Sequence, residues 1–487
     1  MNAFIHNKTY KSYGSEFRLS SASNGDFVLE ARGLNMSGQL GISSSAEIVS
    51  EWHKVSLPAD FKLIHLAIRC NTSVFIGTTK GRKRAFACGC NTHGQLALGH
   101  RANVNTPTPI AVDNIVSVTI RCRSCFIRTA SVPHDVWYAC GDNTYGQLCL
   151  GMSDHVVVDP TRLDFTVRPG IAKVDVIEGS TFLHMADLSM YAAGNNKRGQ
   201  LGVGHMRSID WPSVVLLPNQ AVRTIKGGSD TIFFIMTDGS LYATGWNRRG
   251  QAGLGAEPTI MTPDRVPLPG RVSDVQTISC RTLIALEDGR VFICGDNLAG
   301  FFVPDSQCHM ITKPREWKVE GVTAGVIVMT QLGLFVQDAY GRWKAKGVNM
   351  AGELGLGHTN PVSELTPLAL PQKLAESGIE FVLPFLHSTF FIPFGRHGVW
   401  AVGMNDWHQL GVETAANPVL VPSLVVNPDI AIALQPAVFH WGGHALIVRG
   451  VPAIGDVGVG KGVVDKEKLE LDVDDETEEA GGSATLA

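Results

Sequence analysis

Features that mark secreted and membrane proteins are missing from this chain of 487 residues. Its first residues lack the long apolar core of a secretory signal peptide. No run of apolar residues reaches the length that a membrane-spanning helix needs, and Pro418, Pro422 and Pro428 interrupt the most apolar region. We therefore expect a protein of the cytoplasm or nucleus that does not associate with membranes.

Sequence motifs of common enzyme classes are also missing. The chain has neither a Gly-x-Ser-x-Gly elbow, which would expose a nucleophilic serine, nor a His-Glu-x-x-His zinc motif. The segment 455–461 imitates the start of a phosphate-binding loop, but Gly462 stands where that loop requires serine or threonine. It also lacks a credible preceding strand and following helix. We predict no catalytic residues, no cofactor and no small-molecule substrate.

The cysteines and histidines of the chain favour structural roles over metal binding. Cys122 and Cys125 have zinc-like spacing, but no second pair follows at ligand distance. Other cysteines recur at one repeated strand position, which is typical of buried, reduced thiols. They are Cys88, Cys140 and Cys294. The histidines His100, His205 and His358 likewise recur at one offset, and we expect them in surface loops. We predict no metal site.

What the chain has in abundance is a repeated glycine-asparagine signature. The fourth copy reads Gly194-Asn-Asn-Lys-Arg-Gly-Gln-Leu-Gly, and eight copies follow one another at steps of 50 to 56 residues. Their first glycines are Gly33, Gly89, Gly141, Gly194, Gly245, Gly295, Gly347 and Gly403. A fixed period of this length indicates stacked or radially arranged copies of one supersecondary unit.

Each repeat predicts three or four short antiparallel strands. A short apolar strand precedes each signature, and a second apolar strand lies before it across a tight turn; Asp238-Gly239 and Asp288-Gly289 are two such turns. No helical period separates them. One such sheet cannot bury both faces, so the copies must pack on one another. A closed β-propeller of four-stranded antiparallel blades satisfies this requirement with only short, protected edges.

The signature, with its preceding strand, resembles the regulator of chromosome condensation repeat family over about residues 25 to 450. The resemblance implies an all-β propeller. Members of that family usually have seven blades, whereas counting signatures here gives eight, so the sequence leaves seven or eight blades open. The oligomeric state is also left open.

The resemblance implies two functions of different kinds. One is a non-catalytic scaffold that binds protein partners through its loop faces. The other is guanine-nucleotide exchange on a small Ran-like GTPase, which needs no covalent chemistry because the factor only has to bind the nucleotide-free GTPase more tightly than the loaded one. The even repeat lengths leave little room for a protruding wedge, and residues 1–30 carry only Lys8, Lys11 and Arg18 as bases. Both facts favour the scaffold, and we do not expect direct binding of nucleic acid.

Charge and composition divide the chain into three parts. We predict an N-terminal extension at 1–24, the propeller at 25–455 and a disordered acidic tail at 456–487. Residues 463–487 contain nine acidic residues and two lysines, without aromatics. We also expect the ring to be closed by the strand near Phe27, which would complete the blade containing His444 and the strand after it.

Two consecutive signatures carry a cluster of positive charge at their fourth and fifth positions. The residues are Lys197, Arg198, Arg248 and Arg249. Neighbouring blades place equivalent loops on one side of a propeller, so the fields of these side chains should add. Arginine binds carboxylates in a forked geometry. We predict that this cluster binds an acidic partner protein, in competition with the acidic tail, unless it is only an ordinary solvated rim.

Overall fold

A computed structural model describes residues 8–426 and 445–448 of the chain. Short gaps in this description lie at 13–14, 22–26, 70, 122, 132–134, 153–154, 165–169, 219–220, 229, 304–307, 319–324, 339, 385–386, 397, 407–409 and 415. The predicted acidic tail, the phosphate-loop-like segment and His444 lie outside the described residues.

Eight antiparallel sheets follow one another along the described chain as the blades of a β-propeller. We number the blades 1 to 8 in chain order. Blade 1 contains β1 (Lys8–Ser12), β2 (Ser15–Ser21), β3 (Phe27–Leu34) and β4 (Ile48–Lys54). Blade 2 contains β5 (Lys62–Arg69), β6 (Thr72–Thr79), β7 (Arg82–Gly89) and β8 (Val104–Pro109). Blade 3 contains β9 (Ile115–Arg121), β10 (Ser124–Thr129), β11 (Val136–Asp142) and β12 (Val156–Arg162). Blade 4 contains β13 (Ile171–Ile177), β14 (Ser180–Met185), β15 (Met190–Gly194) and β16 (Ile209–Val214).

The second half of the ring repeats this plan. Blade 5 contains β17 (Val222–Gly227), β18 (Thr231–Met236), β19 (Leu241–Trp246) and β20 (Thr259–Arg265). Blade 6 contains β21 (Val272–Ile278), β22 (Arg281–Leu286), β23 (Val291–Asp296) and β24 (Met310–Glu316). Blade 7 contains β25 (Gly325–Met329), β26 (Gly333–Gln337), β27 (Trp343–Gly347) and β28 (Val362–Pro367). Blade 8 contains β29 (Ile379–Pro384), β30 (Ser388–Pro393), β31 (Trp400–Gly403) and β32 (Val419–Leu424).

Helix is scarce in the part of the chain that the structure describes. One short α-helix, α1 (Gln372–Ser377), connects blades 7 and 8, and two 3-10 turns span Leu298–Gly300 and Phe394–Arg396. None of these helices is long enough to cross a membrane. The prediction of an all-β propeller is confirmed, and the described residues form eight blades.

The hydrophobic core lies between the blades. Phe182 on β14 and Phe234 on β18 have no exposed surface, and their rings meet edge to face with centroids 5.6 Å apart. Phe335 on β26 and Phe391 on β30 make the same contact between blades 7 and 8, at 6.3 Å. Such rings bury large apolar areas, so each blade is held by its neighbours.

The predicted closure of the ring is wrong. Phe27 lies on β3, which pairs with β2 and β4 inside blade 1, so both of its edges are already occupied. A further strand, β33 (Ala445–Val448), pairs instead with β25 as a fifth strand of blade 7. β1 and β2 lie within the predicted N-terminal extension, and they are the first two strands of blade 1.

A candidate interaction surface on the signature rim

The asparagine of each signature holds its loop through hydrogen bonds. In blade 4, Asn196 is fully buried, and its Oδ1 accepts from the Leu201 backbone nitrogen at 3.0 Å. Its Nδ2 donates to the backbone oxygens of His205 and Arg207 at 2.7 and 3.1 Å. The Oδ1 bond recurs in all eight copies. The signature asparagines are therefore structural.

The glutamine of the signature sets the conformation of the loop tip. Gln200 Oε1 accepts from the Arg198 backbone nitrogen, and Gln251 Oε1 accepts from the Arg249 backbone nitrogen, at 2.9 and 3.1 Å. The Gln251 backbone oxygen then accepts from the Thr282 hydroxyl of the next blade at 2.8 Å. Because the tip and the blade contact are linked in this way, the side chains at positions four and five are held facing outward.

The signature loops share one end of the ring with the turns that join the first and second strands of each blade. In blade 5, for example, the Trp246 nitrogen donates to the Asp230 oxygen at 2.8 Å. We call the surface formed by these loops and turns the signature rim.

The four predicted cations lie on the signature rim, and all four are exposed. Lys197 Nζ stands 5.5 Å from the centroid of the Tyr145 ring in blade 3. The Arg198 guanidinium lies 5.1 Å from the Trp246 ring in blade 5, and its Nε is 4.0 Å from Asp230 Oδ1. These contacts connect three consecutive blades through cation–π interactions.

Arg248 and Arg249 differ from Arg198, their arginine neighbour in blade 4. Neither guanidinium has a hydrogen-bond or ion-pair partner among the described residues, whereas Arg198 is partly compensated by Asp230. The structure thus brings the four predicted residues onto one surface. Among the described residues, Lys197, Arg248 and Arg249 have no carboxylate partner, and the two arginines also lack the aromatic contact that Lys197 makes with Tyr145.

In blade 6, next to Arg249, the signature rim contains a largely buried ion pair between Arg281 and Asp296. Arg281 Nη2 lies 3.1 Å from Asp296 Oδ2, with 14% and 11% of the two side chains exposed. The guanidinium stacks on Phe301 at 3.8 Å and donates to the Gln331 backbone oxygen of blade 7. Burial lowers the pKa of Arg281, and the charge of Asp296 opposes that shift. This pair joins blades 6 and 7.

Sequence reasoning missed Arg281, and also Arg123 in blade 3. Arg123 Nη1 lies 3.4 Å from His93 Nε2 of blade 2, so it adds a further cation to the signature rim. Burial and then the Arg123 charge lower the pKa of His93, while Asp142 opposes them. Arg123 lies in the turn between the first and second strands of blade 3, and Arg281 is the first residue after that turn in blade 6. Comparing those turns across the repeats would have revealed them.

The histidines and cysteines singled out in the sequence occupy repeated positions of the blades, except that Cys122 lies outside the described residues. His100, His205 and His358 lie in loops, where each backbone oxygen accepts from a signature asparagine. All described cysteines are free thiols. The repeated strand cysteines Cys88, Cys140 and Cys294 are buried, whereas Cys280 is only partly buried. Among the described residues, no group of three or more His, Cys, Asp and Glu side chains could hold a metal ion.

Two segments of the chain match family models of the regulator of chromosome condensation (RCC1) repeat. One match covers residues 84–122, from β7 through the second signature loop into blade 3, and the other covers residues 222–251 in blade 5. Both include a signature loop, so they rest on the residues that build the signature rim.

Similar proteins include the ultraviolet-B receptor UVR8 of Arabidopsis thaliana, 28% identical over 274 residues. That match covers 54% of this chain and 59% of UVR8. The probable E3 ubiquitin-protein ligase HERC3 of Homo sapiens is 28% identical over 68% of this chain and 32% of its own length. The X-linked retinitis pigmentosa GTPase regulator of Mus musculus is 28% identical over 35% of this chain and 17% of its own length.

Among solved structures, human WBSCR16 superposes with a TM-score of 0.49 at 18% identity, over 71% of this chain and 95% of that one. Yeast RCC1 (Prp20) bound to Kap60 superposes with a TM-score of 0.46 at 18% identity, over 65% and 76% of the two chains. The signatures and the two matched segments agree, and the chain is a β-propeller that carries repeats similar to the regulator of chromosome condensation (RCC1) repeat.

Proposed function

We propose that this propeller is a non-catalytic scaffold of the cytoplasm or nucleus that binds an acidic partner protein through the signature rim. The observation that carries the proposal is the placement of Arg248 and Arg249, exposed and without side-chain partners among the described residues. They adjoin Arg198, which is held by Trp246 and Asp230. Aromatic and arginine side chains together are typical of the residues that dominate binding energy at protein interfaces.

The electrostatics favour a carboxylate-rich partner. Arg248 and Arg249 can each accept a carboxylate in a forked geometry, and the aromatic rings beside Lys197 and Arg198 supply apolar surface for the partner's side chains. Because the cations are exposed, their attraction is screened by salt and should act strongly on the rate of association.

The test uses a poly-glutamate peptide first, and then partners identified by affinity capture and mass spectrometry. We expect binding to weaken as salt rises and to fall at least about tenfold in the double variant Arg248→Glu and Arg249→Glu. Arg265→Glu is the matched control, because Arg265 is an exposed arginine of blade 5 that lies on the outer strand β20. Equal binding by the wild type and the charge-reversed protein would show that the cluster is only a solvated rim.

Deleting residues 464–487 tests competition by the acidic tail. If the tail competes for the four cations, its removal should tighten binding of the peptide to the wild type but leave the charge-reversed protein unchanged. A tightening that is equal in both proteins would mean that the tail acts through general repulsion.

Guanine-nucleotide exchange on a small GTPase remains the second candidate. It is favoured by the similarity to a mouse protein whose name describes a GTPase regulator. A panel of GTPases loaded with fluorescent GDP decides between the two functions. Accelerated GDP release from any of them would place exchange first, whereas unchanged release together with peptide binding would support the scaffold.

A further inference from the structure

A second basic surface lies at the end of blade 2 opposite the signature rim. The sequence Lys80-Gly-Arg-Lys-Arg84 forms the turn between β6 and β7 and the start of β7. Thr72 pairs with Gly89 at the signature end of these strands, and Thr79 pairs with Arg82 at the other end. The turn therefore projects from the face that the signature loops do not occupy.

The backbone presents these side chains in a fixed way. Lys80 and Gly81 both have positive φ angles, 49° and 77°, as a two-residue turn between strands requires. Side chains along a strand alternate between its two faces, so Arg82, Arg84 and Phe86 share one face, and Lys83 faces the other way. Lys80, Arg82 and Lys83 are exposed.

An open depression of about 500 Å³ lies on the Arg82 side of the hairpin. Its lining consists of Thr79, Lys80, Arg82, Arg84, Phe86 and Pro109. Arg84 Nη1 donates to the Asp113 carboxylate, so its charge is compensated. Lys80 and Arg82 have no hydrogen-bond or ion-pair partner within the described ranges. The depression thus combines two uncompensated positive charges with an apolar wall at Pro109.

We propose that this depression, the blade 2 groove, binds a phosphorylated segment of a partner protein. A phosphate monoester carries between one and two negative charges at neutral pH and three acceptor oxygens, which balances Lys80 and Arg82 together. A single carboxylate would leave one of the two cations uncompensated. The guanidinium of Arg82 can grip the phosphate through two parallel hydrogen bonds, while Lys80 acts as a point charge.

The charge of the surrounding face favours a short phosphorylated segment over nucleic acid. The equivalent turns of blades 4 to 7 carry acidic residues, namely Asp187, Asp238, Asp288 and Asp338. Hydrogen bonds from the side chains of Ser189, Ser240 and Arg290 lower the pKa of Asp187, Asp238 and Asp288 respectively. These carboxylates are ionised at neutral pH. Asp288 and Asp338 are paired with Arg290 and Arg342, so their charge is compensated. Asp187 and Asp238 accept hydrogen bonds from serine hydroxyls and keep their charge. A long polyanion that reached blades 4 and 5 would be repelled by these two carboxylates, whereas one phosphate at blade 2 would not.

The experiment measures retention of degenerate peptide pools carrying a fixed phosphoserine or phosphothreonine, against the same pools without phosphate and with glutamate in its place. We expect the phosphorylated pools to bind and the other two to bind at least about tenfold more weakly. Arg82→Ala and Lys80→Ala should each reduce this binding about tenfold or more. Lys83→Ala is the matched control, since Lys83 is an exposed cation of the same hairpin that does not line the groove, and it should change binding less than about twofold.

Several outcomes would overturn the proposal. Equal losses in Lys83→Ala and Arg82→Ala would show general attraction to a basic turn. Equal binding of the glutamate pools would identify an acidic peptide site instead. If a DNA or RNA duplex binds more tightly than the phosphorylated pools, and Arg82→Ala weakens that binding, the groove is a nucleic-acid site. If no pool binds, the groove does not bind phosphorylated segments. Circular dichroism of each variant checks that the fold is retained. The signature-rim double variant Arg248→Glu and Arg249→Glu should leave phosphopeptide binding unchanged. The proposals for the signature rim and for the blade 2 groove are therefore tested independently.

Discussion

Lys346 allows a direct test of the structure, because it is a buried lysine at a position that holds neutral residues in blades 2 to 6 and 8. It directly precedes the signature glycine of blade 7, and only 4% of its surface is exposed. The equivalent position holds Cys294 in blade 6 and Thr244 in blade 5. Its Nζ donates to the Phe302 backbone oxygen at 2.8 Å. In the same way, the thiol and the hydroxyl in the other two blades donate to carbonyls of the preceding signature loop.

Burial lowers the pKa of Lys346 from 10.5 to about 8, although the charge of Glu364 opposes the shift. Between these two pH values the unfolded chain keeps the lysine proton while the folded chain releases it. The unfolded state therefore binds more protons, and the free energy of unfolding should rise with pH in this window. A pKa difference of about 2.5 units at about 1.4 kcal/mol per unit sets an upper limit of about 3 kcal/mol.

The assay is urea unfolding of the wild type and Lys346→Thr at several pH values from 7 to 10. Buried thiols act in the opposite direction: burial raises the pKa of Cys294 to about 12, so the unfolded thiol ionises first and stability falls as pH rises. Taking the difference between the two proteins removes that contribution. We expect the wild type to gain about 2 to 3 kcal/mol relative to Lys346→Thr from pH 7.5 to 10. A difference that stays constant within about 0.5 kcal/mol would refute the reasoning.

Three further predictions concern the propeller itself. Gly245→Ala should destabilise the protein by about 3 kcal/mol or more, because the φ angle of Gly245 is 104° and an added Cβ would lie 2.2 Å from the Asp230 backbone oxygen. The control in the same denaturant titration is Gly228→Ala, since the space around Gly228 is open. Asn196→Ala should cost about 3 kcal/mol by leaving buried backbone groups unpaired, whereas its partly exposed neighbour in Asn195→Ala should cost less than about 1 kcal/mol. Removing residues 1–21 should lower the melting temperature measured by circular dichroism, because β3 loses its partner strand, and an unchanged melting temperature would contradict the assignment of blade 1.

Much of the architecture could be read from the repeat. The spacing of the signature glycines predicted eight units, and each unit became a blade because its hairpins are formed by neighbouring residues. Blade 1 was harder to predict, since β1 and β2 precede the first signature and are rich in polar residues such as Ser15 and Glu16. The pairing of β33 with β25 could not be predicted, because nothing in a short apolar strand specifies a distant partner.

In the candidate sites too, features set by neighbouring residues could be predicted, whereas contacts between blades could not. The position of Arg248 and Arg249 on one rim followed from the repeat register alone. The compensation of Arg198 by Trp246 and Asp230 did not, because it depends on contacts between two blades. The basic turn around Arg82 was visible in the sequence as a run of cations, but its groove depends on how the side chains alternate along β7.

The fifth strand of blade 7 has a consequence for the order of folding. Seven blades consist of strands that are contiguous in sequence, so each can form hairpin by hairpin as it is synthesised. β33 pairs with β25 across about 120 residues. The inner edge of blade 7 therefore stays unpaired until blade 8 has been made. During that interval the nascent chain exposes a strand edge, and the pairing of β33 becomes a late event that follows the assembly of its neighbours.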